Sequence, residues 1–389
     1  MKIEIYKSRS AKSRIFLALL FISSFALTFF TLKPDLVQEQ AVVSARLCSR
    51  SEDFDIDAEL QRLLEEFYSL LPSEIDTDDA LSGVGFQSVA KWIFDALSEG
   101  LPRALSELSA MLGICLILSL CESGFVGGEL SESLSAGVSG ILSIPLASSV
   151  FSIASSVGDA ISSGCDFFGG MIPIATAATA LSGAGTSAAA EGAGMSLALG
   201  FVSNVLLENL LPIVSLMLAF SMASAFDTGG IVGSLASSLK GILLFVLGFI
   251  SFLLPATLSF QSVISSAHDS MALRSAKYAV GNMIPIVGGT LSSMLSTLVT
   301  GATLAKGTVG ALSSVAIGVI FISPLISLLL LRLAYKISIS FLDFVGVALG
   351  KRVFSSLMGA LDAMIAVLCM SGVIFFLETV IFMKSTVAI

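Results

Sequence analysis

The sequence predicts an all-α protein, a polytopic integral membrane helical bundle with an internal duplication and Gly/Pro-broken helices, preceded by a short exported helical segment. Of its 389 residues, 55% are hydrophobic and 13% are charged, and the mean hydropathy is +0.96. Soluble domains carry about 25% charged residues, so this composition is typical of an integral membrane protein. The apolar runs are rich in Gly, Ala and Ser, which let transmembrane helices approach closely. We therefore expect several packed spans rather than a single anchor.

Residues 1–33 are predicted to be a signal peptide or a signal anchor. Five Lys and Arg residues precede the apolar run Ile15–Leu32, an order that is typical of targeting segments. This run is nearly long enough to cross a bilayer, which takes about 20 residues, so cleavage and retention are both open. In either case the basic flank stays in the cytoplasm and the following segment is exported.

Residues 34–103 form the predicted exported segment, which contains 15 Asp and Glu against 5 Lys and Arg. Within it, Leu60, Leu64, Phe67 and Leu71 share one face of an amphipathic helix. That face is a candidate partner surface; the alternative is a helix that packs on the membrane domain of its own chain. A second, weaker amphipathic stretch, Val84–Leu101, resembles an interfacial helix.

Residues 104–389 form the predicted membrane domain. Its apolar segments are 104–121, 134–157, 167–182, 193–207, 210–226, 239–260, 283–303, 308–323, 324–342 and 357–383. Several of them are shorter than the length needed to cross a bilayer. The number of crossings therefore stays open.

The four-residue sequence "MIPI" occurs twice, at Met171–Ile174 and at Met283–Ile286, and indicates how this domain is built. Three further pairs of segments align in the same order at spacings of 110 to 118. These pairs are "PLASSVFSIASSVGD" with "PATLSFQSVISSAHD", "LPIVSLML" with "SPLISLLL", and "SSLKGIL" with "SSLMGAL". We predict pseudo-repeats at about 134–228 and 239–343, followed by a final helix at 357–383, with parallel and inverted relations both open.

The two "MIPI" segments are candidate broken or re-entrant helices that line a pore. Proline removes a helix hydrogen bond and glycine permits unwound backbone, and paired interruptions of this kind mark substrate paths in transport folds. The candidate residues are Pro173, Pro285, Gly170, Gly288 and Gly289. The alternative is an ordinary proline kink within a packed bundle.

Charged residues inside apolar sequence are functional candidates, because they are costly at membrane depth. Asp269, Arg274 and Lys277 form a candidate polar cluster, whose alternative is a solvated loop helix. Three isolated acids are either coupling residues or, as we favour, residues at helix ends: Glu208, Asp343 and Asp362.

The sequence contains no pattern that predicts an enzyme. It has one histidine and five cysteines without a CxxC pair, so we expect neither a metal site nor disulfides. It lacks the GxxxxGK[ST] loop that binds nucleotide phosphates. We therefore expect no catalytic residue, no cofactor and no nucleic acid partner.

The stretch Ser266–Met294, "SAHDSMALRSAKYAVGNMIPIVGGTLSSM", resembles the signature region of the stage III sporulation protein AE family. That signature has an Asp, then Leu-Arg-x-Ala-Lys, an aromatic residue and an Ile-Pro-Val/Ile motif, all present here in the same order. The resemblance is most specific over Leu273–Gly289. One departure is Ser270, where the family commonly has glycine.

The resemblance implies a subunit of the channel complex between mother cell and forespore during endospore formation, in the mother-cell membrane around the forespore. Other membrane proteins of that complex would be its partners, and a homo-oligomer is open. The family is described as permease-like and has no accepted catalytic residues. The alternative function is a stand-alone secondary transporter that uses the duplicated broken helices.

Overall fold

The computed structural model describes residues 86–122, 129–181, 184–224, 226, 231–283 and 288–384, and within these ranges the regular structure is helical, without strands. The elements are α1 Phe86–Glu122, α2 Glu129–Leu181, α3 Gly185–Gly200, a π-helical segment Phe201–Leu210, α4 Leu211–Ala223, α5 Ile231–Met283, α6 Gly288–Val345 and α7 Ala348–Lys384. The predicted signal, the exported face with Leu60, Leu64, Phe67 and Leu71, and Pro285 lie outside the described residues.

Six candidate spans confirm the predicted polytopic membrane bundle. In the part of the chain that the structure describes, they are Ile93–Leu120, Gly140–Ala180, Gly185–Ala223, Val232–Leu254, Lys306–Val345 and Gly350–Lys384. Three of these spans each combine two of the shorter apolar segments. The predicted domain boundary between residues 103 and 104 falls inside α1, so the chain enters its first span without a helix break.

Helices α6 and α7 form the centre of the bundle. They pack against each other as a hairpin, and α6 also contacts α1, α2 and α5, while α7 contacts α2 through α5. The hairpin turns at Gly346, whose φ of 86° is the left-handed conformation that glycine adopts without a steric penalty. The N–H groups of Gly346 and Val347 both donate to the Leu342 carbonyl, at 2.9 and 3.1 Å, which terminates α6.

Aromatic side chains fill the middle of the bundle. Phe168 of α2 stacks on Phe375 of α7 with ring centroids 4.6 Å apart, and Phe321 of α6 lies 6.3 Å from Phe375. This packing needs a small residue opposite the rings: a Cβ added at Gly164 would lie 2.9 Å from Phe321 and 3.3 Å from Phe375. Close helix approach therefore depends on glycine here, as the small-residue content predicts.

A proline explains the π-helical segment between α3 and α4. Pro212 has no N–H for the carbonyl of Glu208, and its ring would clash with that carbonyl in a regular α-helix. The chain instead widens over Phe201–Leu210, and the N–H of Leu211 donates to Leu206, five residues earlier. The side-chain amide of Asn204 donates to the Gly200 carbonyl at 2.9 Å. The rod therefore continues from Gly185 to Ala223 as one span.

The first "MIPI" segment is not interrupted at Pro173, which corrects the predicted position of the break. Helix α2 continues through Pro173 to Leu181, and α3 begins at Gly185. The proline is held in the helix by packing, because its neighbours Met171 and Ile174 are fully buried. Gly170 is exposed. The helix therefore ends in the glycine-containing stretch that follows.

Candidate functional site

The centre of the candidate site is a buried ion pair between Glu191 of α3 and Lys306 of α6. Lys306 Nζ lies 3.1 Å from Glu191 Oε1, and each side chain is only 3% exposed. Thr179 of α2 donates its hydroxyl to Glu191 Oε2 at 2.5 Å. Lys306 Nζ also lies 5.2 Å from the centroid of the Phe382 ring of α7, within cation–π range. The hydroxyl of Thr179, the ring of Phe382 and the ion pair itself thus take the place of the water that would otherwise solvate both charges.

A second carboxyl group, Glu378 of α7, completes what we call the charge cluster: Glu191, Lys306 and Glu378. Glu378 lies one turn before Phe382 and therefore on the same helix face. It is 4% exposed, and it lies near Glu191. Its Oε1 has no hydrogen-bond partner among the described residues. The cluster therefore places a second buried carboxyl group beside the ion pair.

Asp269 of α5 joins the charge cluster to the start of α3. Its Oδ2 accepts from the Ser187 N–H at 2.6 Å, and its Oδ1 accepts from the N–H and hydroxyl of Thr186. Ala184, at the N-cap of α3, has no side-chain oxygen that could accept a hydrogen bond from the first N–H groups of the helix. Asp269 therefore caps α3 from another helix, at the end where the helix dipole favours an anion.

The pKa of Asp269 reflects this capping role. Burial opposes ionisation, but the hydrogen bonds from Ser187 and Thr186 outweigh burial and hold the pKa below the ordinary 3.8. Asp269 lies outside the apolar span of α5, Val232–Leu254. The group is therefore a carboxylate at neutral pH.

The predicted polar cluster of Asp269, Arg274 and Lys277 is only partly related to this site. Asp269 belongs to the site through its hydrogen bonds to α3. Arg274 is exposed, and the side chain of Lys277 is not among those that the structure describes. Of the isolated acids, Asp343 pairs with Lys351 beside the Gly346 turn, as expected for a helix end. Glu208 does not lie at a helix end, because it is exposed within the continuous span Gly185–Ala223.

Asp362 corrects that expectation, because it lies within α7 rather than at a helix end. It accepts hydrogen bonds from Lys240 of α5 and Arg332 of α6. Arg332 and Asp362 lie at similar distances in sequence from Gly346, so the hairpin brings them to the same level. Two cations on two neighbouring helices therefore stabilise one carboxylate.

A polar cleft of about 420 Å³ lies between α1, α2 and α6. Its polar residues repeat at helical spacing on each wall: Glu99, Arg103 and Glu107 on α1, Ser149, Ser152 and Ser156 on α2, and Ser323 and Ser327 on α6. The Ser149 hydroxyl lies 2.9 and 3.1 Å from the two carboxylate oxygens of Glu107. The bundle thus has a hydrophilic surface between spans, which can admit water or small polar solutes.

Sequence reasoning missed all three residues of the charge cluster. Glu191 and Lys306 each stand alone in Gly/Ala-rich sequence, and Glu378 stands alone in an apolar run. The rule that a lone charge in a membrane segment is a functional candidate applied to each of them. Their proximity had no sequence signal, because 115 residues separate the ion-paired partners. The described residues contain no group of three His, Cys, Asp or Glu side chains able to hold a metal ion.

Comparisons with known proteins agree with the signature region. The profile of the family described as stage III sporulation protein AE matches residues 81–386. A protein named stage III sporulation protein AE from Bacillus subtilis (strain 168) is 28% identical over 254 residues. The match covers 65% of this chain and 63% of that relative, which is slightly less than two thirds of its length. No solved structure matches the chain.

Proposed function

The chain belongs to the stage III sporulation protein AE family, and from this premise we propose that it is a membrane subunit of a channel complex linking mother cell and forespore. It would lie in the mother-cell membrane around the forespore and support forespore development. The family membership carries this proposal. The six candidate spans support it, because a channel subunit must cross the membrane.

A gating or conducting role is the finer part of the proposal. The polar cleft between α1, α2 and α6 supports it, since such surfaces between spans are costly unless water or a solute uses them. The charge cluster adds a group that can gain or lose a proton. We propose a non-enzymatic role, and this part of the proposal rests on the family membership.

Deletion of the gene tests the role in spore formation. We expect the deletion strain to stop after engulfment and to lose heat-resistant spores, and expression of the wild-type chain to restore them. Spore counts and membrane staining of sporulating cells provide the measurement. Normal numbers of heat-resistant spores from a clean deletion would overturn the proposal.

The exported segment is the proposed contact with other subunits. Its apolar face, with Leu64 and Phe67 at the centre, would bind partners outside the membrane. In pull-downs from sporulating membranes, a variant with Leu64→Ser and Phe67→Ser should lose the partners that the wild type recovers. The matched control changes Gln61→Ser and Glu65→Ser outside that face. Equal recovery by all three proteins would place the interface elsewhere.

A stand-alone secondary transporter is the alternative, and the buried charge cluster favours it. Transporters use buried carboxyl groups as proton or ion relays. This alternative requires solute flux into liposomes that contain only this protein, with loss of flux in Glu378→Gln. Absence of partner-free flux, together with recovery of partners in the pull-down, would leave the complex subunit as the function.

A further inference from the structure

A basic cavity of about 410 Å³ lies at the end of the bundle that carries the Gly346 turn. Three cationic residues line it, Lys240 from α5 and Lys351 and Arg352 from α7, and its described lining contains no carboxylate. Four serines add hydroxyl groups: Ser224, Ser237, Ser355 and Ser356. This cavity is separate from the charge cluster, since Gly350 and Glu378 stand about 42 Å apart along α7.

Among the described residues around the cavity, cations outnumber carboxylates. Asp362 is shared by Lys240 and Arg332, and Asp343 pairs with Lys351. Arg352 adds a fourth cation. The Lys351–Asp343 pair is about half exposed on both sides, and pairs of this kind are weak. A stronger anion in the cavity can therefore compete for Lys351.

The cavity lies where three candidate spans begin or end. Gly185–Ala223 ends here, and Val232–Leu254 and Gly350–Lys384 begin here. Span ends mark the level of the lipid headgroups. Phe226, Leu235 and Phe344 are exposed on the same ends of the helices, with exposures of 63%, 41% and 88%. A charged pocket next to exposed apolar side chains fits a molecule with an anionic head and an apolar tail.

Two segments of similar sequence line this cavity. "SSLKGIL" contributes Ser237 and Lys240, and "SSLMGAL" contributes Ser355, Ser356 and Gly359. Lys240 passes close to Gly359, since a Cβ added there would be in van der Waals contact with Lys240 Cδ at 3.7 Å. The lysine stem therefore crosses at Gly359 to reach Asp362 and remains along the cavity wall.

We propose that this basic cavity binds the phosphate group of an anionic phospholipid. Lys351 and Arg352 lie at the first residues of their span and would contact the phosphate, while Ser355 would donate a hydrogen bond. Cations at the membrane surface are the usual recognition elements for such headgroups. A free phosphate ion offers the same chemistry without the apolar tail, so the test distinguishes the two sources.

The test measures lipid retention by the full-length protein, purified in detergent with equal amounts of phosphatidylglycerol and phosphatidylcholine of the same chain length. Native mass spectrometry counts the bound lipids. The variant carries Lys351→Gln and Arg352→Gln. The control carries Lys336→Gln and Lys384→Gln, which remove two exposed cations outside the cavity. Each interfacial cation strengthens binding about fivefold, so the variant should bind phosphatidylglycerol about 30-fold more weakly.

Each result decides the proposal. Preferential retention of phosphatidylglycerol by wild type and control, but not by the variant, supports a lipid headgroup. Thermal stabilisation by inorganic phosphate in wild type and control but not in the variant, without lipid preference, overturns the lipid assignment and assigns the cavity to a soluble phosphate. Equal lipid retention by all three proteins and no phosphate effect overturn the proposal. If the double variant fails to fold, Ser355→Leu, which fills the cavity and keeps its charges, must abolish the preference.

Discussion

Lys306 lies in the protein interior with a counter-charge and an aromatic ring beside it. Glu191 provides the counter-charge and Phe382 provides the negative face of its ring. Removing one member of such a pair costs more than removing both, since the remaining charge keeps its desolvation penalty and loses its partner. The stability lost when one partner alone is removed therefore distinguishes a stabilising ion pair from a contact that contributes nothing to stability.

Lys306→Met should therefore lower the free energy of unfolding by about 3 to 5 kcal/mol. The double variant with Glu191→Gln should recover most of that loss, because no unpaired charge remains. Lys336→Met, an exposed control on the same helix, should change stability little. Denaturant titration of the purified protein measures all four proteins. A single variant as stable as wild type would show that the pair is not formed.

Asp269 should stabilise the fold in a manner that depends on pH. Because its folded pKa is lowered, its contribution is present above the ordinary pKa of 3.8 and is lost as the pH falls through the folded value. Asp269→Asn should destabilise the protein by about 1.5 to 3 kcal/mol at pH 7, as expected for hydrogen bonds to a charged group.

The control for this prediction is Asp159→Asn, at the position that the sequence repeat pairs with Asp269. Asp159 is exposed, so its replacement should have little effect. Unfolding curves at pH 7 and at progressively lower pH measure the difference between each variant and the wild type. A difference for Asp269→Asn that keeps its pH 7 size after the pH has fallen below the folded pKa would contradict the assigned role.

The sequence identified Asp269 because it stands in a cluster of charged residues next to a signature motif. It did not identify Glu191, Lys306 or Glu378, each of which is a single charge in apolar sequence. Their proximity depends on the α6–α7 hairpin and on where α3 packs against it. Tertiary packing of this kind leaves no periodic trace in one sequence, so the site could not be assembled from residues alone.

At the scale of the helices, prolines and glycines were poorer markers of breaks than the sequence suggested. Apolar segments 193–207 and 210–226 were separated at residues 208–209, yet the chain passes them and Pro212 as one span through a π-helical segment. Segments 308–323 and 324–342 were separated at Pro324, which lies inside α6. Packing against neighbouring helices compensates for the backbone hydrogen bond that proline removes. A local sequence pattern does not show which helices will be neighbours.

Glycine has a more predictable effect where a helix faces an aromatic ring. Gly164→Ala should destabilise the protein by about 1 to 3 kcal/mol, because the added methyl group would press on Phe321 and Phe375. Gly318→Ala, where no atom lies within 4 Å of the added Cβ, should be neutral or slightly stabilising through helix propensity. Thermal unfolding in detergent measures both. Equal effects of the two substitutions would contradict the observed α2–α6 packing.

At the scale of the whole molecule, composition was enough to predict the class of fold, because 13% charge leaves no other arrangement for so apolar a chain. The boundary at residue 103 was less predictable. The exported segment was predicted to end at Arg103, but Arg103 belongs to a helix that continues to Glu122, together with Glu99 and Glu107. These charged residues line the polar cleft, so they do not lie in an apolar environment. The internal duplication stays a prediction.

The length of α7 gives the molecule two chemically different ends. Its 37 residues extend about 55 Å, whereas a bilayer with its headgroups is about 40 to 45 Å thick. When the basic cavity lies in one headgroup layer, an upright helix carries Glu378 to the far aqueous boundary. The two ends of α7 would then lie on different sides of the membrane, with the cations of the basic cavity at one end and the buried carboxyl group of Glu378 near the other.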